Sequence, residues 1–244
     1  MRNNFVTYPA PAMRVLVVTN LWPTPERPEM GGFVRDQVEA LRKIDGVEVE
    51  VFQFEPGGVK PYPRAVRELR RRYKGRRFDV VHAHYGLSAW PALAIRGAPH
   101  VVTFHGTDLA HGVVGPMSRA VAHLVELPAP VSASLARQGL PHMAHVAILP
   151  VGVNLERFEP RNRTEARARL GLEPDGRYLL FPADPTRPEK RHDRAADLAR
   201  DANAELLTYG GIATEAVPDL INAANAVIVT SEREGFGLGT LEAL

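Results

Sequence analysis

AVIVTSEREGFGLGTLEAL, residues Ala226–Leu244, carries the first decision about this chain. Its apolar start, Ala226–Thr230, reads as a buried strand. A polar loop follows, then the glycines Gly235, Gly237 and Gly239, and the start of a helix that reaches Glu242. A strand feeding a glycine-rich turn and a helix N-terminus is a ready anion site, because free backbone N–H groups converge there. Glu234 and Glu242 flank the turn with seven residues between them. Carboxylates do not hold phosphate, but they accept hydrogen bonds from hydroxyls. A phosphate cradle beside two hydroxyl acceptors suggests a nucleotide-sugar.

Working outward, the same alternation extends upstream. Helix Thr164–Leu170, strand Tyr178–Pro182, helix Lys190–Asp201, strand Glu205–Tyr209 and helix Glu215–Ala223 precede the terminal strand. The segment Pro150–Pro160, PVGVNLERFEP, breaks the pattern and reads as a linker. Before it come strands at Arg14–Thr19, Val47–Phe54, Phe78–His84, His100–Phe104, Ala129–Ser132 and Val146–Leu149. Helical patterns at Phe33–Lys43, Tyr62–Lys74, Gly86–Arg96, Met117–Leu124 and Ala133–Gln138 lie between most of them. Continuous β-branched runs such as RVLVVT mark strands buried on both faces. The expected fold is α/β: a doubly wound, Rossmann-like first domain over residues 13–152 and a partial second one over 153–244. Residues 1–12, polar and proline-bearing, read as a disordered extension.

Bulk properties narrow the function classes. The 244 residues contain no cysteine, which removes disulfide frameworks and thiolate metal sites and fits a cytoplasmic setting. The net charge is +2, so no global case for nucleic acid arises. No apolar run approaches the ~20 residues of a membrane span.

Four further constellations could carry chemistry. Gly31-Gly32 closes the first βα loop, either to admit a ligand to the backbone or simply to turn the chain. The dinucleotide fingerprint is absent there, which argues against a dehydrogenase despite Glu55. His82 and His84 share one face at a strand end, and His105 and Asp108 end the next strand. Together they offer either a divalent-metal site or hydrogen-bonding groups for a polar substrate. Arg187, Lys190 and Arg191 crowd a helix start, where an anion would compensate them, unless they form an exposed turn balanced by Asp184, Glu189 and Asp193. Finally, residues 61–77 form a basic helix with Val66, Leu69 and Tyr73 on a narrow stripe and Arg67, Arg70, Arg71 and Lys74 opposite. It reads as a headgroup-docking face or as a solvated helix with its stripe on the core.

Together these motifs resemble the family 4 retaining glycosyltransferases, whose GT-B architecture sets two Rossmann-like domains face to face. The resemblance runs through GGFVRDQVEAL (Gly31–Leu41), FDVVHAH (Phe78–His84), VVTFHGTD (Val101–Asp108), PVGVNLERF (Pro150–Phe158), PEK (Pro188–Lys190) and the terminal pair Glu234 and Glu242. It implies transfer of a hexose-type sugar from a nucleotide-diphospho-sugar, with retention of configuration. The basic helix, for its part, hints at a carbohydrate or lipid-linked acceptor of envelope polysaccharide biosynthesis, reached by peripheral contact of 61–77 with the inner face of the membrane. The resemblance also implies roles. Glu234 and His105 would meet the transferred sugar. Gly235, Phe236, Gly237 and Leu238 would lie along the diphosphate, with Gly32, Lys190, Arg187 and Arg191 around it. Glu242 would take the ribose. No metal, cofactor or nucleic acid is implied.

The chain departs from the family pattern in two ways. Asp184 and Pro185 stand where a Gly-Arg pair is usual, and Arg191 replaces the glycine common after the lysine. Family members also continue past the second glutamate, so the chain is expected to be a fragment. Two other readings stay open: a metal-dependent hydrolase built on His82, His84, His105 and Asp108, and an inactive piece in which only the first domain folds.

Overall fold

The computed structural model describes residues 12–57 and 60–244, so the extension read over residues 1–12 lies, apart from Ala12, outside the described residues. Two parallel sheets organise the rest. Met13–Thr19 (β1), Gly32–Arg42 (α1), Val47–Gln53 (β2), Pro61–Arg72 (α2), Val80–His84 (β3) and Gly86–Ala92 (α3) open the first unit. His100–Phe104 (β4), Thr107–Ala110 (α4), Val114–Ala122 (α5), Leu127–Pro130 (β5) and Ala133–Gly139 (α6) complete it. Its strand order is β2-β1-β3-β4-β5, all parallel. Arg163–Leu170 (α7), Tyr178–Phe181 (β6), His192–Asp201 (α8), Glu205–Thr208 (β7), Val217–Ala223 (α9), Ala226–Val227 (β8) and Leu238–Leu241 (α10) follow. Their sheet runs β7-β6-β8. Both parallel sheets belong to the described residues.

Period-two geometry explains why the first sheet needs helices on both faces. Along β1, Leu16 and Val18 enter one apolar cluster with Leu69, Val81 and Phe104, while Val15 and Val17 enter a second with Val34 and Val38 of α1. The strand order reverses between β1 and β3, where Thr19 and His84 are register partners. Open α/β sheets bind ligands outside the carboxyl ends at such a reversal.

Proline cuts two expected strands short. Val146–Leu149 runs beside β5, and the Ala147 and Leu149 N–H groups donate to the Pro128 and Pro130 carbonyls at 3.1 Å each. The return bond to Ala147 would need an N–H on Pro130, which has none. The segment is paired on one side only and is not a strand. In the second sheet, Ile228 N–H reaches Leu180 O at 2.8 Å, but the next donor position is Pro182. The strand read over Ala226–Thr230 is therefore only Ala226–Val227.

The basic helix α2 lays Ala65, Leu69 and Tyr73 on the core, with Val66 half-buried at its edge. Arg64, Arg67, Arg70, Arg71 and Lys74 are exposed. Among the described residues, no helix is long and apolar enough to cross a membrane.

Candidate active site

A cleft of about 570 Å³ separates the two units and collects residues from both. Gly32, Phe33, Tyr85, His105 and Gly106 line it from the first; Lys190, Tyr209, Glu234 to Gly239 and Glu242 line it from the second. Of the residues singled out in the sequence, Gly32, His105, Arg187, Lys190, Glu234, Gly235, Phe236, Gly237, Leu238 and Glu242 all reach this cleft, and Arg191 does not.

The carboxyl ends of β3 and β4 bring three imidazoles together. His82 is held by Thr103 Oγ1 at 2.7 Å from its Nε2. His84 Nδ1 lies 3.3 Å from His105 Nε2, with the ring planes 15° apart. Nearly parallel rings joined through facing nitrogens share one proton, so one donates and the other accepts. His105 is thereby left its Nδ1 for a ligand. Burial pushes the His82 ring down to about 4 and, with His82 nearby, the His105 ring down to about 3. At neutral pH these rings are uncharged hydrogen-bonding groups.

Asp108 is fully buried, and its carboxylate accepts the N–H groups of Gly86 at 3.1 Å, His105 at 3.1 Å and Gly106 at 2.9 Å. It ties the end of β4 to the start of α3 and fixes the backbone that carries His105. Burial raises it to about 6 in spite of those donors. Its oxygens are thus already committed. Among the described residues no group of three or more His, Asp or Glu converges as metal ligands. The hydrolase reading has no ligand set.

On the second side, both Lys190 and Glu234 reach the cleft and meet each other. Lys190 Nζ lies 2.8 Å from each Glu234 carboxylate oxygen, and Ser231 Oγ donates to Oε1 at 2.5 Å. Arg187 pairs with Glu189 at 2.6 Å and reaches across to Thr107 Oγ1 at 3.4 Å. Arg191 is turned away: its guanidinium is bound by Asp193 at 2.6 Å and by Glu232 at 2.6 Å. Its assignment to the diphosphate is corrected accordingly. The helix after the glycine turn, α10, is only four residues long. The cationic side chains that line the cleft are Arg187, Lys190 and Arg233.

The glycines have separate reasons. A Cβ on Gly32 would meet Thr214 Cγ2 at 2.6 Å, and one on Gly235 would meet the His105 carbonyl oxygen at 2.1 Å. Both are places where the two units close against each other. Gly237 instead has φ 83, the left-handed conformation that precedes α10. Ser132 fastens the same seam: its Oγ accepts Leu135 N–H at 3.2 Å as the cap of α6 and donates to Gly235 O at 2.7 Å. From the linker, Arg157 reaches Asp36 of α1 at 2.8 Å. Glu242 sits near this pair; burial raises it to about 7, with Arg157 opposing and Asp36 adding to the shift.

Sequence reasoning missed Thr214, Ser132, Tyr85 and Asp36. Ser132 carries a readable signal as a helix cap, but its bond to Gly235 joins residues more than a hundred positions apart. Tyr85, at φ 81, adopts a backbone conformation that no side-chain pattern announces.

The profile of Glycosyltransferase Family 4 matches residues 12–157, more than half of the chain. The chain belongs to glycosyltransferase family 4. Within that family it is similar to the D-inositol 3-phosphate glycosyltransferase of Frankia alni, at 30% identity, covering 68% of this chain and 55% of that protein. It thus spans little more than half of that relative's length. Among solved structures, the sucrose-phosphate synthase of Thermosynechococcus elongatus matches with a TM-score of 0.67 at 18% identity, covering 95% of this chain and 78% of that one. Anabaena HepE in complex with UDP and glucose matches with a TM-score of 0.63 at 15% identity, covering 95% and 78%. At such identities the likeness shows the GT-B fold, and the fold does not fix the substrate.

Proposed function

We propose that this family 4 chain forms the catalytic cleft of a retaining glycosyltransferase that moves a hexose-type sugar from a nucleotide-diphospho-sugar to an acceptor bound on the first-domain side. The meeting of Lys190 and Glu234 opposite His105 carries this reading. Cleavage of the bond from the sugar to the diphosphate places growing negative charge on the leaving group. A fixed cation aimed there stabilises the transition state. In this reading Lys190 takes that charge, with Arg187 beside it and the backbone of Gly235 to Leu238 along the diphosphate. Glu234, once released from Lys190, accepts hydrogen bonds from the sugar hydroxyls. His105 offers its neutral ring near the reacting carbon, and Glu242 accepts from the ribose. Binding of UDP and glucose by HepE supports a nucleotide-sugar as donor. The donor is a substrate, and no cofactor is assigned.

The acceptor class in this reading is a carbohydrate or a lipid-linked intermediate. The exposed cations of α2 would meet anionic headgroups at the inner face of a membrane. Such contact is electrostatic, since Leu69 and Tyr73 are committed to the core.

A thermal-shift series with UDP-, GDP- and ADP-hexoses, followed by a transfer assay with anomeric configuration read by NMR, tests the assignment. One donor is expected to protect the chain, and the product is expected to keep the donor's configuration. Equal turnover by Glu242→Ala would overturn the ribose assignment.

A further inference from the structure

Thr230 stands just past β8, outside every role assigned above. Its Oγ1 lies 3.0 Å from the carbonyl oxygen of Lys190 and 2.9 Å from that of Arg191. Between those carbonyls the chain makes an unusual turn. Arg191 has φ 55 and ψ 54, the left-handed region that side chains other than Asn and Asp rarely adopt. Arg191 both ends the 3-10 turn Pro188–Lys190 and precedes α8, so its conformation sets the direction in which Lys190 leaves the backbone. Two further contacts staple the same turn to the segment after Thr230. Glu232 N–H donates to Glu189 O at 3.0 Å, and Glu232 holds the Arg191 guanidinium at 2.6 Å. Adjacent to Thr230, Ser231 holds the Glu234 carboxylate.

We propose that Thr230 is a positioning residue: its hydroxyl holds the left-handed turn at Arg191 and so aims the Lys190 ammonium at the donor's diphosphate. A glycine at position 191 would adopt this turn without help. With arginine there, an outside group must hold it, and the hydroxyl that faces both flanking carbonyls does so. The need for Thr230 is therefore coupled to the residue at 191. The inference rests on the reading of Lys190 as the diphosphate cation.

Calorimetric titration of the 244-residue chain with UDP, GDP and ADP tests both levels, with thermal unfolding recorded for each variant. Thr230→Val is expected to weaken the best-bound diphosphate about ten-fold, the scale of one hydrogen bond to a group that positions a charge. Thr230→Ser is expected to stay within about two-fold, because it keeps the hydroxyl. Thr230→Val combined with Arg191→Gly is expected to bind as Arg191→Gly alone does. A packing role would not produce that rescue. If Lys190→Ala weakens binding while Thr230→Val does not, the proposal is wrong and the donor reading stands. If Lys190→Ala changes nothing, or no diphosphate binds the unaltered chain, the donor reading fails and takes the proposal with it. Failure of both Thr230→Val and Thr230→Ala to fold would assign the hydroxyl to the fold rather than to Lys190, and would also overturn it.

Discussion

Glu234 neutralises Lys190: both of its carboxylate oxygens lie 2.8 Å from the lysine Nζ. The two groups assigned to opposite parts of the donor are therefore each other's partners. A diphosphate that takes Lys190 must displace Glu234, and the displaced carboxylate is then free for the sugar. The side chains are only 15% and 31% exposed, so the pair is partly shielded from solvent and resists exchange more than a surface pair would.

Glu234→Gln separates these roles. Removing the charge frees Lys190, so a nucleoside diphosphate is expected to bind about two- to five-fold more tightly, the worth of a partly shielded ion pair. Turnover is expected to fall by about a hundred-fold or more, because the sugar loses its charged acceptor. Calorimetry with the nucleotide and a transfer assay on the same preparation check this. Weaker nucleotide binding would contradict the exchange.

The closeness of the units at Gly235 gives a second expectation. Gly235→Ala drives a methyl into the His105 carbonyl, where the Cβ would lie 2.1 Å from the oxygen. The backbones must part, at a cost of about 1–3 kcal/mol or more for overpacking. Gly237→Ala meets no atom within 4 Å and suffers only its positive φ. Urea unfolding should show the larger loss at 235, and transfer should fall with it because His105 moves.

The contrast between these glycines shows how far the sequence could be read. Strands, helices and the two-unit plan were legible because buried parallel strands write continuous apolar runs and helices write 3.6-residue periods. Pro130 and Pro182 were also visible as residues. Their effect was not, because it depends on which carbonyl across the ladder lacks its donor. The cleft residues were legible as types, and most of them do converge. Arg191 misled, since charge alone does not reveal that Asp193 and Glu232 bind it. Asp108 left two readings open: a carboxylate following a histidine-rich strand end suits a metal or a polar substrate until its backbone donors are known.

That carboxylate supports a third prediction. Asp108→Asn keeps one acceptor oxygen but points an amide NH₂ at backbone N–H groups that now have no acceptor. Leaving buried donors unsatisfied costs about 1–3 kcal/mol each. A loss of about 2 kcal/mol or more in urea unfolding is expected, with a fall in transfer because the backbone at His105 loses its anchor. A change below about 0.5 kcal/mol, the scale of a neutral surface substitution, would remove Asp108 from this role.

Acid behaviour separates the buried groups by sign. His82 and His105 are held far below their ordinary 6.5, at about 4 and about 3, chiefly by burial. The stability this gives is present above pH 6.5 and is lost as pH falls toward those values, because the unfolded chain takes up protons first. Glu242 works the other way. Its pKa is raised from 4.5 to about 7 by burial, so its contribution is full below pH 4.5 and is lost as pH rises through 7. Asp108, raised by burial from 3.8 to about 6, acts as Glu242 does, and His84, held well below 6.5 chiefly by burial, acts as the other two rings do. Between pH 7 and pH 5 the two effects oppose each other, and the three imidazoles outweigh the two carboxyls. The chain is therefore expected to be less stable at pH 5 than at pH 7. Glu242→Gln removes one of the two compensating carboxyls, so its loss over that interval should exceed that of the unaltered chain by roughly 1 kcal/mol after solvent screening. Urea unfolding of both proteins at the two pH values measures the difference, and a smaller acid loss in Glu242→Gln would show that Glu242 is not protonated in the folded cleft.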